Sequence, residues 1–145
     1  MGFHSSIVYQ NPRNGIEFYT DGQTFTQSWS LILVGANGED LHVGRYENAR
    51  RFGNWTNPTM DFYGAGRGLN DAVGWFEILE LTWGDNYRPT VLAVDFYTES
   101  FPNASHSKTT GSLRFNSNIP LSPVPEPSSA LLMLGAVLGL TRRRR

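Results

Sequence analysis

The sequence predicts an all-β domain, an antiparallel β-sandwich or meander, followed by a Pro-rich linker and a short C-terminal transmembrane helix. Three observations predict the β class. Apolar and polar residues alternate along several stretches, the period of a strand with one buried face. Pairs rich in glycine, asparagine and aspartate separate those stretches, as turns do. Fifteen glycines, 13% aromatic residues and one lysine, Lys108, suit strands and tight turns better than helices.

The elements follow in order. Gly15-Ile-Glu-Phe-Tyr-Thr20 alternates as a strand, and Asp21-Gly22 is a hairpin signal. Gln23 to Val34 runs back with Phe25, Trp29, Leu31 and Leu33 on one face and Thr24, Thr26, Ser28 and Ser30 on the other. Ile32 and Val34 make its end apolar on both sides. Asn37-Gly38 is the next turn. Thr59 to Tyr63 reads as a short strand entering the glycine-dense Gly64-Ala-Gly-Arg-Gly68. Trp75 to Trp83 is a strand whose apolar phase shifts near Ile78-Leu79, as a bulge would cause. Gly84-Asp85-Asn86 turns it back into Thr90 to Thr98, with Leu92, Val94 and Phe96 inward. A polar loop leads to Thr110, and Gly111 to Ser117 closes the domain with Leu113 and Phe115 inward. The domain spans 15–117, after a stub over 1–14 that is expected to be disordered apart from a short strand at Ile7–Tyr9. The linker over 118–127 holds four prolines.

The end of the chain carries the most specific signal. Pro125-Glu126-Pro127 precedes the run Ala130-Leu131-Leu132-Met133-Leu134-Gly135-Ala136-Val137-Leu138-Gly139-Leu140. Arg142, Arg143, Arg144 and Arg145 follow. As a helix, Ser128 to Thr141 spans roughly 21 Å at about 1.5 Å per residue, short of a bilayer core of about 30 Å. Arginine stems can reach the headgroups and the bilayer can thin locally. A basic flank on one side only keeps the arginines cytoplasmic and the body outside. The run has no polar face, so an amphipathic surface helix fits poorly. Gly135 to Gly139 matches G-x-x-x-G, read here as tolerance of small residues rather than a dimer face. The two prolines hold Glu126 extended outside the membrane.

Motif, apolar run and arginine cluster, in this order, resemble the PEP-CTERM sorting signal of Gram-negative bacteria. The resemblance implies recognition at Pro125, Glu126 and Pro127 by exosortase, a membrane protease-transpeptidase. It also implies export, membrane anchoring, and delivery to the cell surface or extracellular matrix. Met1 to Gln10 shows no secretory signal peptide, so an N-terminally truncated copy or a misplaced start is expected.

Charge and composition bound the body. All thirteen acidic residues fall within 1–126, against eight basic ones outside the tail, leaving about −5. An acidic body argues against nucleic acid, whose phosphates call for a basic patch. The absence of cysteine excludes disulfides, thiol nucleophiles and cysteine metal sites.

Four blocks, Gly44 to Phe52, Gly66 to Asn70, Gly74 to Ile78 and Gly111 to Ser117, look like those of a family of uncharacterised secreted bacterial domains. That resemblance implies a cysteine pair at the positions of Leu69 and Ser100, lost here together, and further strands before Gly15. With those strands missing, a bare sheet edge is expected between Gly15 and Val34.

The remaining candidates for chemistry are weak. His4, His42 and His106 lack partners at metal or catalytic spacing. Ser107 beside His106 lies in no nucleophile elbow. Glu77 and Glu80 have opposite strand parity, so a glycosidase-like pair would need the bulge. Gly64, Gly66 and Gly68 mimic a phosphate loop without the lysine or helix. Asn37-Gly-Glu-Asp40 lacks a spaced calcium ligand set. Asn54 and Asn103 begin glycosylation sequons. Trp55, in a polar loop near Phe52 and Tyr63, suits either a sugar platform or edge packing. The expectation is therefore a structural or matrix protein of the cell envelope, not an enzyme, without catalytic residue, metal or cofactor. A surface glycan-binding module is the alternative.

Overall fold

The computed structural model describes residues 2–4, 13–20, 28–51, 56–100 and 107–122. Their strands are β1 (Gly2–His4), β2 (Gly15–Thr20), β3 (Trp29–Val34), β4 (Gly44–Arg50), β5 (Thr59–Gly64), β6 (Arg67–Gly68), β7 (Ala72–Trp83), β8 (Pro89–Ser100) and β9 (Lys108–Phe115). All belong to one sheet in the order β1-β2-β3-β5-β4-β7-β8-β9, with β6 paired to β5. The sheet curls into a half-barrel. No α-helix occurs among the described residues; Ala36–Gly38 and Asp85–Tyr87 are 3-10 turns.

The sandwich alternative is therefore corrected to one curled sheet. Its inner face carries Ile16, Phe18, Leu31, Leu33, Met60, Phe76, Ile78, Leu92, Val94 and Phe96 in a single buried cluster. Curling brings that face into contact with itself. Phe62 of β5 meets Phe96 of β8 at 5.1 Å between ring centroids, so the concavity does the work of a second sheet. Period-two alternation tells which face is buried but not what lies across it. The sheet is also not wholly antiparallel, because β4 and β5 run parallel through one register pair, Arg50↔Thr59.

Three other expectations change. First, Gly2–His4 pairs with Glu17–Tyr19, and Asn14 is fully buried, so the described part of 1–14 is structured rather than a disordered stub. Ile7–Tyr9 lies outside the described residues. Second, the expected bare edge between Gly15 and Val34 does not occur. β2 lies between β1 and β3, and β3 between β2 and β5, and Leu31 is 3% exposed. Asp21-Gly22 and Phe25 fall outside the described residues; the ladder resumes at Thr20↔Trp29. Third, strand β4 was not anticipated. Tyr46 and Ala49 are its two buried residues, three apart, because the ladder slips between them and Asn48 adopts φ 56°. An extra residue in a bulge turns a three-residue spacing into one face.

The bulge anticipated near Ile78-Leu79 is present. Ile78 opposes Val94, and the next pair is Glu80↔Ala93. The turns at Asn37-Gly38, Ala65-Gly66 and Asn86 use left-handed backbone, with φ of 52°, 74°, 50°, 71° and 56° in that order, where asparagine and glycine are favoured.

Candidate functional site

The described chain ends on the outer face of the sheet, and the geometry there is specific. β9 closes the edge beside β8, with Arg114 opposite Ala93 and Ser112 opposite Asp95, none of them part of the apolar core cluster. Asn116, at φ 52°, reverses the chain, and its side-chain amide donates to Thr90 O at 2.9 Å. The segment 117–122 then runs back over the sheet instead of leaving it. The expected linker is thus docked for its first five residues, 118–122.

Arg114 holds it there. Its guanidinium donates to Val94 O at 2.9 Å and Leu113 O at 3.0 Å on the sheet side. Toward the segment it donates to Ile119 O at 3.2 Å and to Pro120 O at 3.2 and 3.0 Å. The same group faces Asp95 Oδ1 at 2.8 Å, with side-chain exposures of only 9% and 15%. Ser122 donates to the other carboxylate oxygen. Ser117 donates to Glu80 Oε2 at 2.6 Å and accepts the Ile119 N–H at 3.2 Å. Burial pushes the Asp95 carboxyl up, but hydrogen bonds from Ser122, Ser112 and Arg114, with the guanidinium's charge, hold it below its usual value. Planar arginine, with donors in several directions, is the side chain able to bridge in this way. A buried ion pair repays its desolvation only as far as the remaining bonds are made; here Asp95 Oδ2 accepts from Ser122, while Oδ1 faces the guanidinium as an ion contact with no hydrogen bond among the described residues.

Further along the same face lies an aromatic and charged row. Arg45 stands over the Trp75 ring at 3.8 Å, and Trp75 stacks with Tyr97 at 6.3 Å. Tyr97 donates to Glu99 at 2.5 Å, with Lys108 at 3.8 Å from Glu99. The bulge in β7 puts Glu77 and Glu80 on this face, opposite Asp95 and Ala93. They are not a free carboxylate pair, since Glu77 lies 3.6 Å from Arg45 and Glu80 accepts from Ser117.

Other candidates resolve into local structure. His42 is exposed, and Tyr46 Oη accepts its N–H at 2.8 Å and donates to its carbonyl at 3.1 Å. Gly64 to Gly68 form the β5–β6 hairpin beside a hollow of about 580 Å³ that Arg51 and Asn70 help to line. Arg51 is tied to Asp61 at 3.1 Å, Leu69 O at 3.2 Å and Asn70 at 2.9 Å. Ser100 pairs with Ala72, three residues along from Leu69. A second hollow of about 340 Å³ opens on the apolar interior between Phe18, Trp29, Phe62 and Phe96. Among the described residues there is no cluster of three His, Cys, Asp or Glu placed to hold a metal. Nor is any helix among them long and apolar enough to cross a membrane.

Pro125, Glu126 and Pro127, the apolar run 130–140, the arginines 142–145, Trp55, Asn54, Asn103 and His106 lie outside the described residues, as does the side chain of His4. Sequence reasoning missed Arg114, Asp95 and Ser122. They are distant in sequence and meet only through strand register, so no local motif marks them. Residues 123–145 match the family model described as the PEP-CTERM protein-sorting motif. No curated protein matches the chain, and no solved structure does.

Proposed function

From a chain that carries a PEP-CTERM protein-sorting motif at residues 123–145, and is thereby marked as an exosortase-sorted, exported surface protein, we propose a structural or matrix role at the cell envelope. The observation that carries this reading is the direct junction of a folded sheet, strapped down to Ser122, with a motif beginning at residue 123. Ser128 to Thr141 would insert in the membrane as a short helix, the four arginines would remain cytoplasmic, and Glu126 would be the central recognition residue. In this reading the β domain is not an enzyme and takes no cofactor. Its outer-face carboxylates Glu77, Glu80 and Asp95 are engaged by Arg45, Ser117 and Arg114.

The test is expression of the full chain behind an export signal in an exosortase-bearing host. Glu126→Ala is expected to leave the fold intact and keep the tail attached, read by mass spectrometry of the surface fraction. Arg142–Arg145→Ala is expected to release the unprocessed form from the membrane. Tail loss that ignores Glu126, or membrane retention that ignores the arginines, overturns the respective assignment.

A second reading, a surface glycan-binding module, is supported by the Arg45–Trp75–Tyr97 row, where rings and charges lie together on an outer sheet face. Affinity electrophoresis in gels containing envelope polysaccharide tests it. Retardation that Trp75→Ala abolishes supports glycan binding, and unchanged mobility in every gel removes it.

A further inference from the structure

We infer that Arg114 and Asp95 are positioning residues for tail removal: their clasp on segment 117–122 shortens the chain available between the folded body and the sorting motif and slows its processing. The inference rests on the reading that the tail is a processed sorting signal.

The argument starts from chain length. With the clasp closed, the last anchored residue is Ser122, bound to Asp95, and three residues' advance reaches Pro125. At about 3.3–3.6 Å per residue, that is at most ~11 Å. With the Arg114 and Asp95 contacts open, the last anchored residue is Ser117, bound to Glu80. Eight residues then give the motif a reach of up to ~29 Å. One guanidinium and one carboxylate therefore change the reach of the tether by more than about twofold.

A domain of this size has a diameter on the order of 30 Å. Held within ~11 Å of a motif that lies at the bilayer surface, it occupies much of the space through which a membrane protease must approach. Nothing in the sheet itself must unfold to relieve this. The segment's anchors are Arg114 to Ile119 O and Pro120 O, Ser122 to Asp95, and Ser117 to Glu80. Arg114 keeps its bonds to Val94 O and Leu113 O when the segment lifts. The segment can thus detach from β9 as a strap.

The experiment follows tail removal over time in the full chain, exported in an exosortase-bearing host. Four forms are compared: the native sequence; Arg114→Lys with Ser122→Ala; an insertion of eight Gly/Ser residues after Ser122; and the combination of both changes. Arg114→Lys keeps a positive charge beside Asp95 but loses the fork that reaches Ile119 and Pro120. The insertion leaves the clasp intact and lengthens the tether beyond it. Each alone is expected to speed tail removal roughly twofold or more, in line with the change in reach, and the combination is expected to add little. A merely structural role for Arg114 would lower the unfolding midpoint without making the insertion act on rate. Equal rates in all four forms, or acceleration by neither the clasp variant nor the insertion, overturn the inference. Glu126→Ala in each background separates the two claims. Removal that depends on Glu126 but ignores the clasp refutes only the clasp, whereas removal that ignores Glu126 refutes the sorting reading beneath it.

Discussion

Asn14 offers the sharpest test of how the sheet is held at its first long strand. It is fully buried, and its side-chain amide donates to Gly35 O at 3.2 Å and Glu39 O at 2.7 Å. Its own carbonyl accepts the Gly35 N–H at 2.8 Å. One residue thus pins the entry to β2 onto the turn after β3. Asn14→Ala removes two hydrogen bonds worth about 1 kcal/mol each and leaves a buried carbonyl at Gly35 unpaired, for a further ~1–3 kcal/mol. Loss of Oδ1, which has no hydrogen-bond partner among the described residues, returns part of that cost. The expected net loss is about 2–4 kcal/mol. Asn14→Asp goes further, because it puts an acceptor against two acceptors. Its carboxyl is held protonated in the fold above the ordinary value of about 3.9. Between the unfolded and folded pKa values the unfolded chain has released the proton and the native one has not. Stability therefore falls by about 1.4 kcal/mol per pH unit as pH rises above ~4. Urea unfolding of the full chain in mild detergent, followed by tryptophan fluorescence at pH 4 and pH 7, measures both variants. Equal midpoints for Asn14→Asp and the native chain at both pH values would refute the reasoning.

Three further outcomes are expected. Gly74→Ala should cost about 3 kcal/mol or more, since its Cβ would meet the backbone of Tyr97 and Thr98, which cannot rotate away; a change under about 1 kcal/mol in the same unfolding assay would contradict this. Tyr46→Phe keeps the ring stacked on Phe76 at 4.5 Å but leaves the His42 N–H and carbonyl without the hydroxyl, so a loss of about 1–2 kcal/mol is expected in unfolding midpoints. Asp95 has a carboxyl held below its usual value. Its contribution is therefore present in full above the unfolded value, about 3.9, and is lost as pH falls through the lower folded one. The stability gap between the native chain and Asp95→Asn, measured from neutral pH down to about 2, should close at the acid end, and a gap that widens there would be the wrong sign.

The strands legible in the sequence were those with an unbroken alternation bounded by turn residues. Leu92, Val94 and Phe96 were expected inward and are 0%, 0% and 5% exposed. The bulge in β7 was legible because two apolar phases in one strand require an extra residue between them. β4 was not, because its own bulge disguises Tyr46 and Ala49 as unrelated residues in a polar run. The choice between sandwich and curled sheet was not legible either, since it depends on curvature accumulated over the whole sheet. The PEP-CTERM motif over 123–145 is a linear signal, legible from residue order without any fold. The clasp depends on a strand register that places Ser112 against Asp95 and Arg114 against Ala93, and on a reversal at Asn116 that carries Ser122 back. Composition made 118–122 look like part of a proline-rich linker.

The parallel junction of β4 and β5 gives the molecule a mechanical grain. Long antiparallel ladders bind β7 to β8 and β8 to β9, and β2 to β3 and β3 to β5. Among the described residues the sheet's own link between these blocks is one register pair, Arg50↔Thr59, with the Arg50 N–H on Pro58 O at 3.0 Å and the Arg51–Asp61 ion pair beside it; the Leu41 N–H on Arg13 O and the shared apolar core, where Phe62 meets Phe96, span them without a ladder. A chain tethered by its C-terminus receives load through Ser122 and β9, and that load crosses β8, β7 and β4 before it reaches the seam. Force is therefore expected to open the sheet along Arg50–Thr59 before it shears any ladder, with the half nearest the anchor keeping its strands. Pulling a single molecule between Gly15 and Ser122 would show this as an early, low-force step, whereas a single-step rupture would place the weak line elsewhere. At a cell surface such a seam would act as a yield point, extending under strain while the anchor holds.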